Sequence, residues 1–559
     1  MGFKKISDEL GVSAQISIKD VQAAADAGYR AIICNRPDGE GADQVSFGEI
    51  EAAAKAAGIE ARYVPVKQGM VRDADVAEFS AALAALPSPV LAYCRSGMRS
   101  ASLWSFHAAK RQPIADILAV TKAAGYDMGG VARRIANDGK TPVDTGDAKF
   151  GIVIVGAGAA GIAVAAGLKA RDASLDIAII DPADIHYYQP GWTMVGGGIF
   201  DAQTTAKTMG SLIPRGVQWI KAAVAAFEPD KNAIILDGCR VVTYDRLVVC
   251  PGLKLDWSAV EGLEETLGRN GVTSNYRYDL APYTWELVRN MKQGRALFTQ
   301  PPMPIKCAGA PQKAMYLSGD AWHRANVLKD IDIQFMNAGG VLFGVKDYVP
   351  ALMQYVEKYD ASLNFFHNLK SVDGPARTAT FTVQKPETTP EDITVEFDMM
   401  HVCPPQTAPD FIKVSPLADS AGWVDVDQSS LRHKTYDNIW SLGDVMNAPN
   451  AKTAAAARKQ APTVANNIIA DINGTSPVAQ YDGYGSCPLT VERGKIVLAE
   501  FGYGGALKPS FPKFLLDGTK PSRAAWFLKE TMLPPIYWKA MLRGKEWLAK
   551  PEKINVSAK

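Results

Sequence analysis

Two stretches of this sequence carry residue types at spacings that can do chemistry. The first is Tyr93-Cys94-Arg95-Ser96-Gly97-Met98-Arg99-Ser100. Val90-Leu91-Ala92-Tyr93 reads as a strand that delivers Cys94 into a short loop, and a helix is expected from about Ser100. Loop amides at the start of a helix point inward and gather partial positive charge. A cysteine at that point, with Arg95 and Arg99 close by, is placed to act as a thiolate, and Arg99 can make a forked contact with an anion. The second stretch is Gly156-Ala157-Gly158-Ala159-Ala160-Gly161, which follows the apolar run Gly151-Ile152-Val153-Ile154-Val155 and opens an Ala-rich helix. In that pattern Gly156 allows a tight turn, Gly158 lets backbone approach a pyrophosphate, and Gly161 lets helix and strand pack closely. The next strand, Ile177-Ala178-Ile179-Ile180, ends at Asp181, placed for ribose hydroxyls.

These sites need elements to hold them, and the rest of the chain supplies α/β rhythm. Short apolar runs alternate with Ala-rich helical stretches over residues 11–136, and the polar segment 137–149 reads as a linker. The length of 559 residues suggests three to four folding units. Sixty Lys and Arg against 59 Asp and Glu leave a net charge of +1, so no overall basic field exists to make nucleic acid the main partner. Seven cysteines, an odd count without a Cys-x-x-Cys pair, argue against a disulfide framework or zinc ribbon, and the six histidines show no metal spacing. The lysines of the amino terminus have no apolar run behind them, and no apolar stretch reaches the ~18 residues of a membrane span. The expected setting is a reducing cytoplasm.

The Cys94 loop is one residue shorter than the Cys-x5-Arg phosphate loop of tyrosine phosphatases and resembles that of rhodanese-type sulfurtransferases. With Ile33-Cys34-Asn35-Arg36-Pro37-Asp38-Gly39-Glu40 it resembles a family with a phosphatase-like fold. The shorter ring favours a sulfur-sized anion, so sulfane-sulfur transfer at Cys94 and Arg99 is the preferred reading. A phosphatase stays open, with Asp38 or Asp73 as general acid.

Ile439-Trp440-Ser441-Leu442-Gly443-Asp444 is similar to the late FAD motif, and Leu247-Val248-Val249-Cys250-Pro251-Gly252 resembles the middle motif of flavoproteins with two dinucleotide domains. Where a second glycine-rich cradle is expected, residues 300–311 hold prolines and Cys307 instead, which spoils a pyrophosphate loop. His186-Tyr187-Tyr188-Gln189-Pro190-Gly191, Ile305-Lys306-Cys307-Ala308-Gly309, Lys452-Thr453-Ala454 and Tyr481-Asp482-Gly483-Tyr484 together resemble the sulfide:quinone oxidoreductases over about residues 150–550. The resemblance implies noncovalent FAD held by Gly156, Gly158, Gly161, Asp181, Gln189, Pro190, Gly252, Gly443, Asp444, Lys452 and Thr453. It implies quinone as co-substrate and Cys307 as the flavin-side thiol. It also implies a second redox cysteine directly after Gly443-Asp444, where this chain has Val445. Cys403 is a possible substitute. Cys34 and Cys250 read as core, Cys239 as incidental, and no role is assigned to Cys487. Without a thiol at position 445, the ranking runs from a diffusing persulfide carrier, through Cys403, to direct transfer from Cys94.

The expected fold is α/β. A phosphatase-like domain (1–136) and the linker (137–149) precede two Rossmann-like domains (150–475). FAD binding falls to 150–255 and 401–475, and the second Rossmann-like subdomain to 256–400. In the tail (476–559), aromatics from Phe511 to Trp547 mix with Lys539, Arg543 and Lys545, which suggests amphipathic helices docking on a membrane surface near quinone. The expected enzyme oxidises sulfide or a low-molecular-weight persulfide, passes electrons to quinone, and sits peripherally on the cytoplasmic face of the membrane, as a monomer or homo-oligomer. The alternatives are a phosphatase fused to a flavoprotein redox sensor, and an NAD(P)H-dependent persulfide reductase.

Overall fold

The structure is a computed structural model and describes residues 2–41, 44–67, 71–142, 148–449 and 451–554. Part of the expected linker, residues 143–147, lies outside the described residues. The chain is mixed α/β and divides into two compact units. The first comprises Met1–Phe150, Ala222–Tyr244 and Asp410–Pro416, and the second comprises Gly151–Lys221, Asp245–Pro409 and Leu417–Lys559.

The first unit is built on strands β1 (Lys4–Lys5), β2 (Leu10–Ser13), β3 (Ala31–Cys34), β4 (Glu60–Tyr63) and β5 (Val90–Tyr93), in the order β1-β2-β5-β3-β4. Strands β2, β5, β3 and β4 run parallel, and β5 is central. Side chains of a strand alternate between faces, and here the alternation sorts two cores. Ile32, Cys34, Leu91 and Tyr93 pack with α1 (Ile18–Asp26) and α2 (Phe47–Ala56). Ala31, Ile33, Val90 and Ala92 pack with α3 (Asp73–Ala85), α4 (Met98–Ala108) and α5 (Ile114–Ala123). Cys34 is therefore a core residue. Ala222–Tyr244 and Asp410–Pro416 belong to this unit because their apolar residues pack there. Ala226 and Ile235 bury against Ala132 of α6 (Ala132–Ala136), Phe227 stacks on Phe411, and Val414 packs on the core.

In the second unit, β6 (Ala148–Val155) pairs in parallel with β7 (Ile177–Ile180), and β7 with Val217–Ile220. The end of strand Val241–Val249 pairs in parallel with Ile439–Ser441, which brings the late Gly-Asp motif to this sheet. A second, five-stranded parallel sheet is centred on Gly294–Gln300 and Met399–His401, and the antiparallel hairpin Gly485–Glu492/Lys495–Phe501 lies against helix Ala310–Arg324.

The tail divides. Trp526, Tyr537, Trp538, Met541 and Leu542 are buried, whereas Phe514, Leu515, Phe527 and Trp547 are exposed. Arg523–Phe527 and Leu533–Lys539 are short helices, and no helix among the described residues is long and apolar enough to cross a membrane.

Candidate active site: two cysteine centres and a dinucleotide cradle

The Cys94 centre is set by β5, which ends at Tyr93, and by α4, whose N-cap is Gly97 with φ of 91°. That left-handed backbone favours glycine, and it turns the Gly97 N–H to donate to Cys94 Sγ at 3.2 Å. Cys94 is buried. Arg99 spends both Nη1 hydrogens and one Nη2 hydrogen within the chain, which leaves its Nε/Nη2 edge on the side of the sulfur. Its Nη1 donates to Glu40 Oε1 at 2.8 Å and to the Val66 carbonyl at 2.7 Å, and its Nη2 donates to Glu40 Oε2 at 2.7 Å. Arg36 Nε donates to the same Oε2 at 2.9 Å. These contacts, led by Arg99, hold the Glu40 carboxyl below its usual range. Both candidate general acids are engaged structurally. Asp38 accepts the Phe47 N–H, and Asp73 accepts from Thr141 and Arg134. The Thr141 bonds lower the pKa of Asp73, the opposite of what a general acid needs.

In the second unit, helix α7 (Ala159–Arg171) follows β6 through the glycine-rich turn. A β-carbon on Gly156 would sit 2.6 Å from the Cys250 carbonyl oxygen, and one on Gly161 would sit 1.9 Å from that of Gly156. Gly158 faces open space, as does Gly252, so the cradle has room for a ligand where backbone would touch it. Asp181 ends β7 as expected, and its carboxylate accepts the Ala157 N–H at 2.7 Å. Gly443 donates its N–H to Gln460. Lys452 Nζ donates to the Asp444 and Met446 carbonyls, and burial brings its pKa down to about 8. Burial raises that of Asp444. Thr453 caps helix Ala454–Ile472. Gln189 accepts from Lys306 Nζ at 2.7 Å, and the Pro190 carbonyl accepts from Lys529 at 2.8 Å. Trp192 Nε1, Thr193 Oγ1, both amide atoms of Asn275 and Gln300 Oε1 are buried with no hydrogen-bond partner among the described residues. A glycine cradle with room in it and unsatisfied buried donors and acceptors fit FAD.

The decisive geometry is at Cys307, whose sulfur lies 3.5 Å from that of Cys487. Cys307 stands just before helix Ala310–Arg324 with φ of 81°, a backbone state non-glycine residues enter at a cost and that recurs at functional sites. One helical turn on, buried Lys313 donates to Cys307 Sγ at 3.2 Å. A hydrogen bond from Cys487, aided by Lys313, pulls the Cys307 thiol well below its usual range, while Cys487 is pushed up as the protonated partner. Lys313 is raised by the neighbouring sulfur charge despite its burial. Lys529, also buried, is lowered to about 7 by desolvation and by Lys313.

Cys403, expected as the possible substitute for the thiol missing at Val445, is not the sulfur set against Cys307. It packs in the same apolar cluster, but its sulfur accepts from Gln406 at 3.6 Å, and burial pushes its pKa up to about 12. Cys487 is the partner that sequence reasoning missed. A signal was available, because Cys487 lies three residues past the Tyr481-Asp482-Gly483-Tyr484 motif, in the strand Gly485–Glu492. Gly309 explains the close approach, since a β-carbon there would stand 2.7 Å from Cys487 Sγ and 2.2 Å from Leu489 Cδ2.

Comparison with known proteins gives two groups of likeness. Residues 2–111 match the family described as beta-lactamase hydrolase-like protein, phosphatase-like domain, and residues 150–295 match pyridine nucleotide-disulphide oxidoreductase. The chain is 42% identical over 407 residues to the mitochondrial sulfide:quinone oxidoreductase of Dictyostelium discoideum, covering 72% of this chain and 88% of that protein. It is 33% identical over 131 residues to a beta-lactamase hydrolase-like protein of Xylella fastidiosa, covering 23% of this chain and 30% of that one. The crystal structure of sulfide:quinone oxidoreductase from Aquifex aeolicus shares the fold, with a TM-score of 0.59, 18% identity and coverage of 73% and 97%.

Proposed function

We propose, from the premise that this chain belongs to the sulfide:quinone oxidoreductase family, that it oxidises sulfide at a Cys307–Cys487 couple and passes the electrons to quinone. The observation that carries this reading is the 3.5 Å approach of the two sulfurs beside Lys313. In the disulfide form, hydrosulfide attacks Cys487. The S–S bond breaks, Cys487 gains a persulfide, and Cys307 leaves as a thiolate. The direction follows from the environment. The sulfur with the lower pKa is the better leaving group, and Cys307 has Lys313 to hold its charge. A thiol then removes the outer sulfur as its own persulfide and leaves Cys487 reduced. Re-forming the disulfide from the two thiols releases two electrons and two protons, and FAD held in the glycine cradle would supply the two-electron acceptor that links this oxidation to quinone. Gly156, Gly158, Gly161, Asp181, Gln189, Pro190, Gly252, Gly443, Asp444, Lys452 and Thr453 would hold FAD without a covalent bond. Sulfide can open this couple directly, so the preference for a diffusing persulfide as electron donor falls away. The same carrier keeps a role after oxidation, taking sulfane sulfur to Cys94.

At Cys94 we favour sulfur transfer over phosphatase chemistry, since Asp73 is held as an ionised structural partner of Arg134 and Thr141. The exposed Phe514, Leu515, Phe527 and Trp547 support peripheral attachment of the tail to a quinone-bearing membrane. The test is anaerobic titration with sulfide, following the flavin absorbance. The natural protein is expected to bleach. Cys487→Ser is expected to retain its yellow colour and to stay oxidised, and bleaching of that variant at the natural rate would remove Cys487 from the reaction.

A further inference from the structure

Three contacts join the carboxyl-terminal tail to the dinucleotide cradle. The first runs through His186, which is buried. One ring nitrogen, Nδ1, lies 3.1 Å from the Ala157 carbonyl oxygen, and the other, Nε2, lies 2.6 Å from the Tyr537 hydroxyl. A carbonyl only accepts, so Nδ1 carries the hydrogen, and Nε2 accepts from the tyrosine. Burial lowers the pKa of the ring, which keeps it in this neutral form. Ala157 stands inside the glycine turn, and its N–H is taken by Asp181 at 2.7 Å. Both peptide groups of Ala157, at the place where backbone would meet a pyrophosphate, are therefore pinned, one by Asp181 and one, through His186, by the tail. In the second contact Lys529 donates to the Pro190 carbonyl at 2.8 Å. The third lies along α7, the helix that the turn opens. Arg171 Nη2 donates to Glu546 Oε1 at 2.6 Å, and a β-carbon on Gly544 would stand 2.7 Å from the Ala166 carbonyl oxygen, so tail backbone lies directly on the helix. The same stretch is bracketed by exposed apolar side chains, Phe527 before it and Trp547 and Leu548 after it.

We propose that the tail is a strap on the dinucleotide turn, with His186 and Tyr537 as positioning residues, and that docking the tail on a membrane slows the loss of FAD. The strap stands on these contacts and on the fit of FAD to the cradle. The effect of docking rests also on the reading that the tail meets a membrane. Release of a pyrophosphate requires the turn to loosen, and each bond that holds Ala157 opposes that local opening. A bilayer that binds the tail in its strapped conformation shifts the population toward the closed turn, and by reciprocity bound FAD favours membrane binding.

The experiment uses the full-length, FAD-loaded protein. Free-flavin fluorescence is followed after dilution, with and without vesicles of phosphatidylcholine and phosphatidylglycerol, and sedimentation of the same samples reports docking. The natural protein is expected to sediment with the vesicles and to lose FAD at least threefold more slowly there. Tyr537→Phe removes one hydroxyl and leaves His186 Nε2 without a donor, so it is expected to lose FAD about tenfold faster without vesicles, with the thermal transition of its apoprotein unchanged. Phe514→Ser/Leu515→Ser, at exposed positions outside the strap, is expected to keep the natural rate in solution and to lose the vesicle effect. A natural rate of flavin loss in Tyr537→Phe would overturn the strap. Should that variant fail to fold, His186→Asn takes its place, since its amide keeps a donor for Ala157 and gives up the acceptor for Tyr537. Sedimentation with an unchanged rate of flavin loss would overturn the coupling and leave the membrane reading standing. Absence of sedimentation would sink the membrane reading and the coupling with it, and the Tyr537→Phe rate would still decide the strap.

Discussion

Cys94 and Cys307 are both cysteines held next to a buried cation, and they differ in what that cation is given to hold. Beside Cys94, Arg99 divides its donors between the Glu40 carboxylate and the sulfur, and the sulfur also receives a backbone N–H from Gly97. Beside Cys307, Lys313 donates to the sulfur itself, and a second sulfur lies 3.5 Å away. A single cysteine can carry a sulfur atom but cannot store an electron pair within the protein. Two cysteines at near-contact can, because closing an S–S bond of ~2.05 Å needs only a small shift of one side chain. The contrast separates group transfer from redox chemistry on the same residue type, and the predictions below are chosen to strain it.

The largest effect is expected from the couple. Cys307→Ser and Cys487→Ser each lower sulfide-dependent quinone reduction by about 10³-fold or more, since residues that act as a unit fail together, and both keep FAD. Cys94→Ser leaves that rate within about twofold, as a group outside the redox unit should. A Cys94→Ser protein as slow as Cys307→Ser would erase the distinction between the two centres.

Next comes the geometry that permits the couple. Gly309→Ala places a β-carbon 2.7 Å from Cys487 Sγ and 2.2 Å from Leu489 Cδ2, so strand Gly485–Glu492 must withdraw. Sulfide oxidation is expected to fall about 10²-fold, in line with the effect of ~1 Å misplacements at reacting centres. Thiol titration under oxidising conditions should find both sulfurs free where the natural protein is expected to form a disulfide.

Lys313→Met removes the cation from Cys307. Without it the thiol titrates higher, so the thiolate is lost as pH falls through neutrality and regained in alkali. The rate at pH 7 is expected to fall about tenfold, with much of it recovered near pH 9. A loss equal at all pH values would show that Lys313 is structural only.

Lys529 tests the same field through stability. Its pKa in the fold is about 7, against an ordinary value of 10.5. Between those values the unfolded chain holds a proton that the folded chain has released, so the contribution of Lys529 rises with pH across that window and is flat below about pH 7. Lys313 acts in the opposite sense, its raised pKa giving stability below 10.5 that is lost in stronger alkali. Denaturant unfolding of Lys529→Met should therefore lack a rise of up to a few kcal/mol that the natural protein shows between pH 7 and 10.

What could be read from the chain without its fold was local. The turn Gly156-Ala157-Gly158 and the loop from Cys94 to Arg99 are contiguous, so strand, turn and helix signals fall in one window, and each element forms where the pattern places it. The partner of Cys307 was not legible because it is 180 residues away and arrives on a hairpin whose docking depends on the missing side chain of Gly309. Glu40 was visible as part of a motif but not as the bidentate partner of Arg99, since those residues are 59 positions apart. The tail was half legible. Its aromatics do gather, but Trp526, Tyr537 and Trp538 bury themselves and leave Phe514, Leu515, Phe527 and Trp547 facing out. Periodicity in short helices cannot separate those two fates.

The smallest effect belongs to Cys403, and it sharpens the comparison by supplying a third cysteine near the couple with no cation given to its sulfur by hydrogen bond. Its sulfur meets two neutral groups, the amide of Gln406 at 3.6 Å and the hydroxyl of Tyr276. Burial holds its pKa up to about 12, so at neutral pH it remains a thiol and is neither nucleophile nor good leaving group. Cys403→Ala removes one sulfur from a cluster that includes Tyr276, Ile305 and Ala310. The expected cost is a modest loss of stability, about 1 kcal/mol for a small buried group. The rate of sulfide oxidation is expected to change by less than about twofold, because the reacting sulfurs and Lys313 keep their places. The measurement is steady-state quinone reduction with sulfide, beside thermal unfolding of the same sample. A fall in rate comparable to that of Cys487→Ser, with the thermal transition unchanged, would mean that Cys403 exchanges with Cys307 during turnover, and a hydrogen bond from a cation would no longer distinguish reacting sulfur from packing sulfur.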